Sequence, residues 1–294
     1  MDAARVEQRI LEAGASLQRG EAITGWAALR WRGAAFFDGW LADGSLRPIR
    51  VVRRSGARQP SKGDLIHHRH GLAPYDAEEI GGLRCTSVAR ALFDEMRLAG
   101  NVRDAVVSLD MAAAAGLISV SLLAEYVAGR RGWEGVPLVR QAIGLAVDRS
   151  LSPQETRLRL VWILDAGLPE PLCNPPVFDR HGKLLGHPDL LDVEAGLVVE
   201  YDGAHHRSQR RHRSDVARES RFRDHGLEYA TVVVGDLIDR EVVVGRLLAA
   251  RRRARFDPPD ARLWTLTPPP WWDAPEPLDR RLRRLGLVPP PRAA

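Results

Sequence analysis

The chain has 294 residues, 45% of them hydrophobic and 28% charged, with a formal net charge of +5. That length and balance suit about two domains with cores of their own and exclude a chain disordered throughout. No apolar run approaches the roughly 18–20 residues of a membrane span, and two cysteines, Cys85 and Cys173, cannot build a disulfide framework or a zinc site between them.

With so few cysteines the expected setting is a reduced cytoplasm, with no membrane partner. Asp2 and Glu7 flank Arg5 and lead into no apolar core, so a secretory leader is not expected. Residues 1–25 carry Val6, Ile10, Leu11 and Leu17 at near-helical spacing. Residues 26–75 mix short apolar pieces with turn residues, and 49–52 and 65–68 read as strands around the Gly/Ser/Pro/Lys stretch 55–63. Helices are expected from Thr86 to about Leu98, over 102–115 and 119–129 on either side of Gly116, and over 136–148. This half divides into a small mixed α/β module, 1–75, and a helical module, 76–148. It shows no cluster of convergent polar residues that reads as a functional site.

A boundary falls near 148, and the order of elements beyond it is specific. Ser152-Pro153-Gln154-Glu155 opens a helix that runs to Gly167. Residues 177–179, 184–193 and 197–202 read as three strands, a basic helix covers 209–225 and stops at Gly226, and 229–234 is β-branched. Asp236 is expected to cap a last helix ending near Arg255. The order is α-β-β-β-α-β-α over 149–257, an α/β pattern. From 258 to 294 proline dominates, and this tail, with Trp264, Trp271 and Trp272, is a candidate surface for docking on the domain or on a protein partner.

Alternation places Val198, Glu200 and Asp202 on one face of their strand. A hairpin turning over 193–196 sets Asp192 opposite Leu197 and Asp189 opposite Glu200. Directly opposed residues have Cβ atoms about 4.5–5.5 Å apart, and like charges so placed are destabilising unless something binds between them. A hard cation such as Mg²⁺ takes one or two carboxylates plus water and phosphate oxygens, so the pair leaves a gap suited to a metal. Two readings of Glu200 stand open, metal ligand and strand-end acid facing solvent. Glu155 sits at the third position of a capping box, which by itself accounts for it. His205 and His206 are either surface residues or acid–base groups at the strand mouth. Asp215 and Arg218, three apart, suit a local ion pair.

The positive charge is almost all arginine, with only Lys62 and Lys183 as lysines. Between His205 and Arg223 stand Arg207, Arg210, Arg211, Arg213, Arg218, Arg221 and Arg223 against Asp215 and Glu219, a local excess equal to that of the whole chain. Such a patch can hold phosphates, and a solvated helix face is the alternative.

Together Ser152-Pro153-Gln154-Glu155, Pro188-Asp189-Leu190, the run from Leu197 through Glu200, Asp202 and Gly203 to His206, and Asp215 to Arg218 with Gly226 resemble the Vsr-like (very-short-patch-repair-related) endonuclease domains. These are a branch of the PD-(D/E)xK restriction-endonuclease-like fold, with an αβββαβ core. The resemblance covers roughly the C-terminal third of the chain. It implies Mg²⁺-dependent hydrolysis of DNA phosphodiesters, with Asp189 as lead metal ligand, Glu200 as the second acid and Glu155 reaching the metal through water. The arginines of 207–223, Arg207, Arg210, Arg211, Arg213, Arg218 and Arg221 among them, would hold the DNA backbone. One position departs from the pattern: Asp202 stands where lysine is usual. His206 is then the residue to do the lysine's work, and a non-cleaving, degenerate domain is the other outcome. Residues 46–130, with Cys85-Thr86-Ser87-Val88-Ala89-Arg90-Ala91-Leu92-Phe93-Asp94 and the helix Ala105 to Asp110, resemble the non-DNA-contacting part of AbiEi-type antitoxin-like proteins. That places a regulatory DNA-binding protein beside the nuclease as the second functional expectation, over a helix-rich α+β N-terminal domain.

Overall fold

The computed structural model describes residues 3–41, 43–53, 64–68, 71–203 and 209–287, with side chains at all of these except 3, 4, 74 and 209–216. The chain is mixed α/β and divides into two compact units, residues 1–148 with 277–294, and residues 149–276. Among the described residues no helix is long and apolar enough to cross a membrane.

The first unit begins with α1 (Ala3–Ala15), β1 (Glu21–Thr24), α2 (Trp26–Trp31), β2 (Ile49–Arg53), β3 (Leu65–His67), β4 (Ala77–Ile80) and β5 (Leu83–Thr86). The strands form one sheet in the order β3-β2-β1-β5-β4. Residues 21–24, expected within a helix, are instead its central strand. Gly20 adopts a left-handed backbone (φ 86°) just before them, and all four residues are buried. A short run buried on both faces carries no period that separates strand from helix. The sheet also runs across the boundary expected at 75/76, because β1 pairs in parallel with β5. Then follow α3 (Val88–Arg97), α4 (Val102–Ala114), α5 (Val120–Ala128) and α6 (Val136–Ile143). Ser87, Asn101 and Ser119 cap the first three, each side-chain oxygen accepting from a backbone N–H of the first turn. Helix α6 ends five residues short of the expected 148.

This unit does hold a buried polar network, and its role is structural. Arg90 and Asp94 are fully buried on α3. Asp94 accepts from Arg90 Nε at 2.8 Å, Arg97 Nε at 2.8 Å and Thr24 Oγ1 at 2.8 Å, and Thr86 Oγ1 donates to Thr24 Oγ1 at 3.0 Å. Glu95, one residue on, accepts from Trp26 N at 3.0 Å at the start of α2 and pairs with Arg47 and Arg50. Burial pushes the Asp94 carboxyl up, but Arg90 and Arg97 more than reverse this and hold it below the usual range. The network clasps α3 to β1 and β5.

The second unit holds α7 (Pro153–Leu160), which runs into a π-helical turn (Val161–Asp165), then β6 (Leu172–Cys173), β7 (Val177–Asp179), β8 (Leu184–Gly186), β9 (Leu190–Asp192), β10 (Leu197–Asp202), α8 (Gln209–Asp224), β11 (Glu228–Val233), α9 (Arg240–Arg253) and β12 (Trp264–Thr265). The expected three strands before the basic helix are five, split between a sheet ordered β11-β10-β9-β6 and another ordered β12-β7-β8. The single strand expected over 184–193 breaks into β8 and β9 because Pro188 lacks an N–H for the ladder and Gly186 lies against Phe222, where a Cβ would come within 3.0 Å of the ring. Asp239, not Asp236, caps α9, accepting from Glu241 N and Val242 N. Residues 258–276 are part of this unit: β12 pairs with β7, and Trp264 is buried with Val177, Leu185, Leu191, Val198, Phe222, Leu227 and Tyr229. The last helix, α10 (Leu278–Arg284), belongs to the first unit, where Leu282 is buried and Arg283 pairs with Glu125. Both cysteines are free and buried.

Candidate active site

Strand β10 is the backbone of the site. Leu197, Val198 and Val199 are fully buried, which anchors the strand, while Glu200, Tyr201 and Asp202 emerge toward its C-terminal end. It pairs in parallel with β11 and antiparallel with β9, in the register Leu197↔Asp192, Val198↔Leu191 and Val199↔Leu190. That is the register predicted by alternation, and the ladder ends one step short of the expected Asp189–Glu200 pair. Asp192 itself is structural. Its Oδ1 accepts from Ala195 N at 3.0 Å, closing the 193–196 turn, and its Oδ2 pairs with Arg251 Nε at 2.8 Å.

Asp189 lies just before β9, where the ladder ends, and its Oδ2 accepts from Tyr201 N at 2.7 Å. Burial raises its carboxyl to about 7, and the charges of Glu155 and Glu200 push in the same direction, against the Tyr201 hydrogen bond and Arg218. An aspartate at that value is held far from its usual 3.9 by desolvation plus like charge. Three acids, from α7, the β8–β9 connection and β10, therefore share one electrostatic neighbourhood.

Each of the other two acids is held. Ser152 caps α7 by accepting from Glu155 N at 3.2 Å, and Glu155 Oε2 reaches back to Leu151 N at 2.9 Å, so the expected capping role is real. The same oxygen accepts from Asn174 Nδ2 at 2.8 Å. Asn174 was not singled out from the sequence. It adopts a left-handed backbone (φ 48°), its own N donates to Asp189 O at 3.2 Å, and it thereby ties two of the acids together. The available signal was an asparagine, which tolerates that conformation, set before Pro175-Pro176. Glu200 faces α8, as does Val198, and pairs with Arg218 Nη2 at 2.9 Å. Tyr229 on β11 also hydrogen-bonds Glu200, and burial followed by that negative charge pushes its phenol up.

Arg218 and Arg221, both expected on DNA, are engaged within the unit. Arg218 donates to His187 O besides pairing with Glu200, and Arg221 Nε donates to Leu185 O at 3.2 Å, so both fasten α8 to the β8 segment. The described ion pair of Arg218 is with Glu200; the expected local pair with Asp215 falls on a side chain outside those described. Asp202 ends β10 one strand repeat beyond Glu200, opposite Val233. His205, His206 and Arg207 lie outside the described residues. Arg210, Arg211, Arg213 and Asp215 belong to α8, and their side chains also lie outside those described.

The donors here are carboxylate oxygens, the chemistry a hard divalent cation takes. Among the described residues, however, no three His, Cys, Asp or Glu side chains are grouped as a ready metal cage. Mg²⁺ is commonly held by one or two carboxylates, with water and phosphate oxygens completing the shell.

Comparison of the chain with protein-family models, with curated proteins and with solved structures finds no match.

Proposed function

We propose that residues 149–276 are a nuclease-like unit of the Vsr-like, PD-(D/E)xK kind, hydrolysing DNA phosphodiesters with a divalent cation such as Mg²⁺. The observation that carries this reading is Asp189. A buried acid raised to about 7, with two more acids bearing on it, is stressed in a way that a bound dication relieves. Asp189 and Glu200 hold the cation and Glu155 contributes through water. Such an ion lowers the pKa of a bound water and stabilises charge on the phosphate. Without it, Asp189 at neutral pH exists in both protonation states. Arg218 sets a guanidinium beside these acids, where it draws in a phosphate. Tyr229 and Asn174 orient Glu200 and Glu155. His206 and Asp202 follow the strand mouth as acid–base candidates, and the arginines of 207–213 supply the backbone contacts. The reduced cytoplasm suits a chain whose two thiols are both free and buried.

A second reading is an antitoxin-like or regulatory DNA-binding protein whose nuclease site is degenerate. Two observations favour it: Asp202 occupies the usual lysine position, and Arg218 already neutralises Glu200. The proline-rich tail as a surface for a protein partner belongs to the same reading.

Asp189→Ala separates the two. Mg²⁺-dependent nicking of plasmid DNA is expected in the parent and lost in the variant, while DNA binding measured by gel shift persists. Undiminished cleavage in the variant removes the mechanism. Binding without cleavage by the parent, in Mg²⁺ and in Mn²⁺, selects the regulatory reading.

A further inference from the structure

We propose that Trp271, backed by Trp272, which itself packs on His187, is a stacking ledge for an unpaired base of a DNA strand. This rests on the nuclease-like reading for its choice of nucleic acid and adds a preference for single-stranded or frayed substrates. Trp271 is 62% exposed, the most exposed aromatic ring in the second unit. It is nevertheless fixed: its centroid lies 5.8 Å from Trp272 at 75° and 6.1 Å from Phe178 at 82°. Trp272 packs in turn on Phe178 at 5.2 Å and on His187 at 5.7 Å, tilted by 37°. Phe178 is fully buried on β7, so the cluster is rooted in the core. Pro269 and Trp271 close over Gly182 at the β7–β8 turn, and Trp272 N donates to Pro269 O at 2.9 Å, which holds the Pro-Pro-Pro-Trp-Trp segment in a turn.

A large ring held rigid yet open to solvent loses little entropy when a planar partner stacks on it. The surroundings select the partner. His187 stands two residues before Asp189, and the charges of Arg149 and Arg218 both bear on it. His187 also hydrogen-bonds the backbone carbonyl of Asn174, whose side chain holds Glu155. An aromatic cluster whose His187 member has the Arg218 guanidinium on its own backbone carbonyl suits a base with its flanking phosphates, the combination that single-strand binding sites use. A paired base inside a duplex presents no open face to such a ring. The ledge would thus deliver the phosphate next to an unpaired base toward the acids.

The test compares a fluorescein-labelled dT oligonucleotide with a blunt duplex of equal length, by anisotropy at fixed salt in EDTA. Trp271→Ala is expected to weaken dT binding about 5- to 100-fold, the cost of one lost base–aromatic stack, and to leave duplex binding within about twofold. Trp271→Phe keeps a ring and is expected to recover most of the loss. Unlabelled dT should quench tryptophan emission in the parent and less in Trp271→Ala. Equal dT affinity in parent and Trp271→Ala overturns the ledge, and so does an absence of dT binding. Cleavage assays separate this from the site itself. Trp271-dependent dT binding with no cleavage under any divalent cation leaves the ledge standing and removes the nuclease. Asp189-dependent cleavage together with dT affinity unchanged in Trp271→Ala does the reverse.

Discussion

Asp94 in the first unit and Asp189 in the second are both buried aspartates, and their neighbours treat them oppositely. Asp94 is met by Arg90, Arg97 and Thr24, so both carboxylate oxygens that burial strips of water find donors. Asp189 receives one backbone N–H and faces Glu155 and Glu200. Desolvation works on both in the same direction, and the sign of the surrounding charge decides the outcome. The lesson is that burial of an acid is not by itself a functional signal. A buried acid surrounded by cations is a clasp, whereas one surrounded by other acids is poised for a ligand that the protein does not supply.

The comparison is broken most severely at Asp94. Asp94→Ala leaves the buried Arg90 and Arg97 without their common partner and should cost about 3–5 kcal/mol, read as a lower urea midpoint. A near-neutral result would show that the clasp is dispensable. At Asp189 the sign reverses. A folded-state value of about 7 against an unfolded value of about 3.9 means that the folded protein binds the extra proton, so stability falls as pH rises from about 4 to about 7. Asp189→Asn, which keeps an acceptor for Tyr201 N, should therefore stabilise the protein at pH 8 by up to about 4 kcal/mol, the gain vanishing toward pH 4. Millimolar Mg²⁺ should raise the thermal midpoint of the parent at pH 8 and leave that of Asp189→Asn unmoved. Asp94 works the other way: its depressed value gives stability that is present above the unfolded pKa and is lost as pH falls through the folded one.

Smaller changes sharpen the contrast. Ser152→Ala removes the α7 cap and should cost about 1 kcal/mol in chemical denaturation. Cleavage should fall by more than that stability loss accounts for, because the cap also positions Glu155. Arg210→Ala with Arg211→Ala should leave stability unchanged and lower the salt slope of DNA binding by about one to two units. An unchanged slope would assign these arginines to solvent.

Much of the site was legible because it depends on local rules. Ser152 and Glu155 announce a helix start through their spacing, and α7 begins there. Alternation along Leu197 to Asp202, with a turn at 193–196, was enough to set the β9–β10 register from Asp192↔Leu197 to Leu190↔Val199. The partners were not legible. Arg218 lies 18 residues beyond Glu200, and pairing with it required α8 to pack across the β10 face. Asn174 and Tyr229 reach the acids only because β6 and β11 flank the same sheet. The Arg90–Asp94–Arg97 spacing was visible on one helix face, but a charged helix face is ordinarily solvated, and nothing local says that a sheet covers this one.

What the sequence determined unaided is periodic or adjacent: helix starts, strand alternation, a hairpin register, a basic helix stopping at Gly226. Those follow from interactions among residues a few positions apart, whose energies hardly depend on the remainder of the chain. The assignment of strands 177–186 to a second sheet, the use of 264–265 as its edge, and the choice of which buried acid meets cations and which meets acids belonged to the tertiary structure. Burial and charge proximity are properties of packing, and they come into being only when distant segments share the same water-free space.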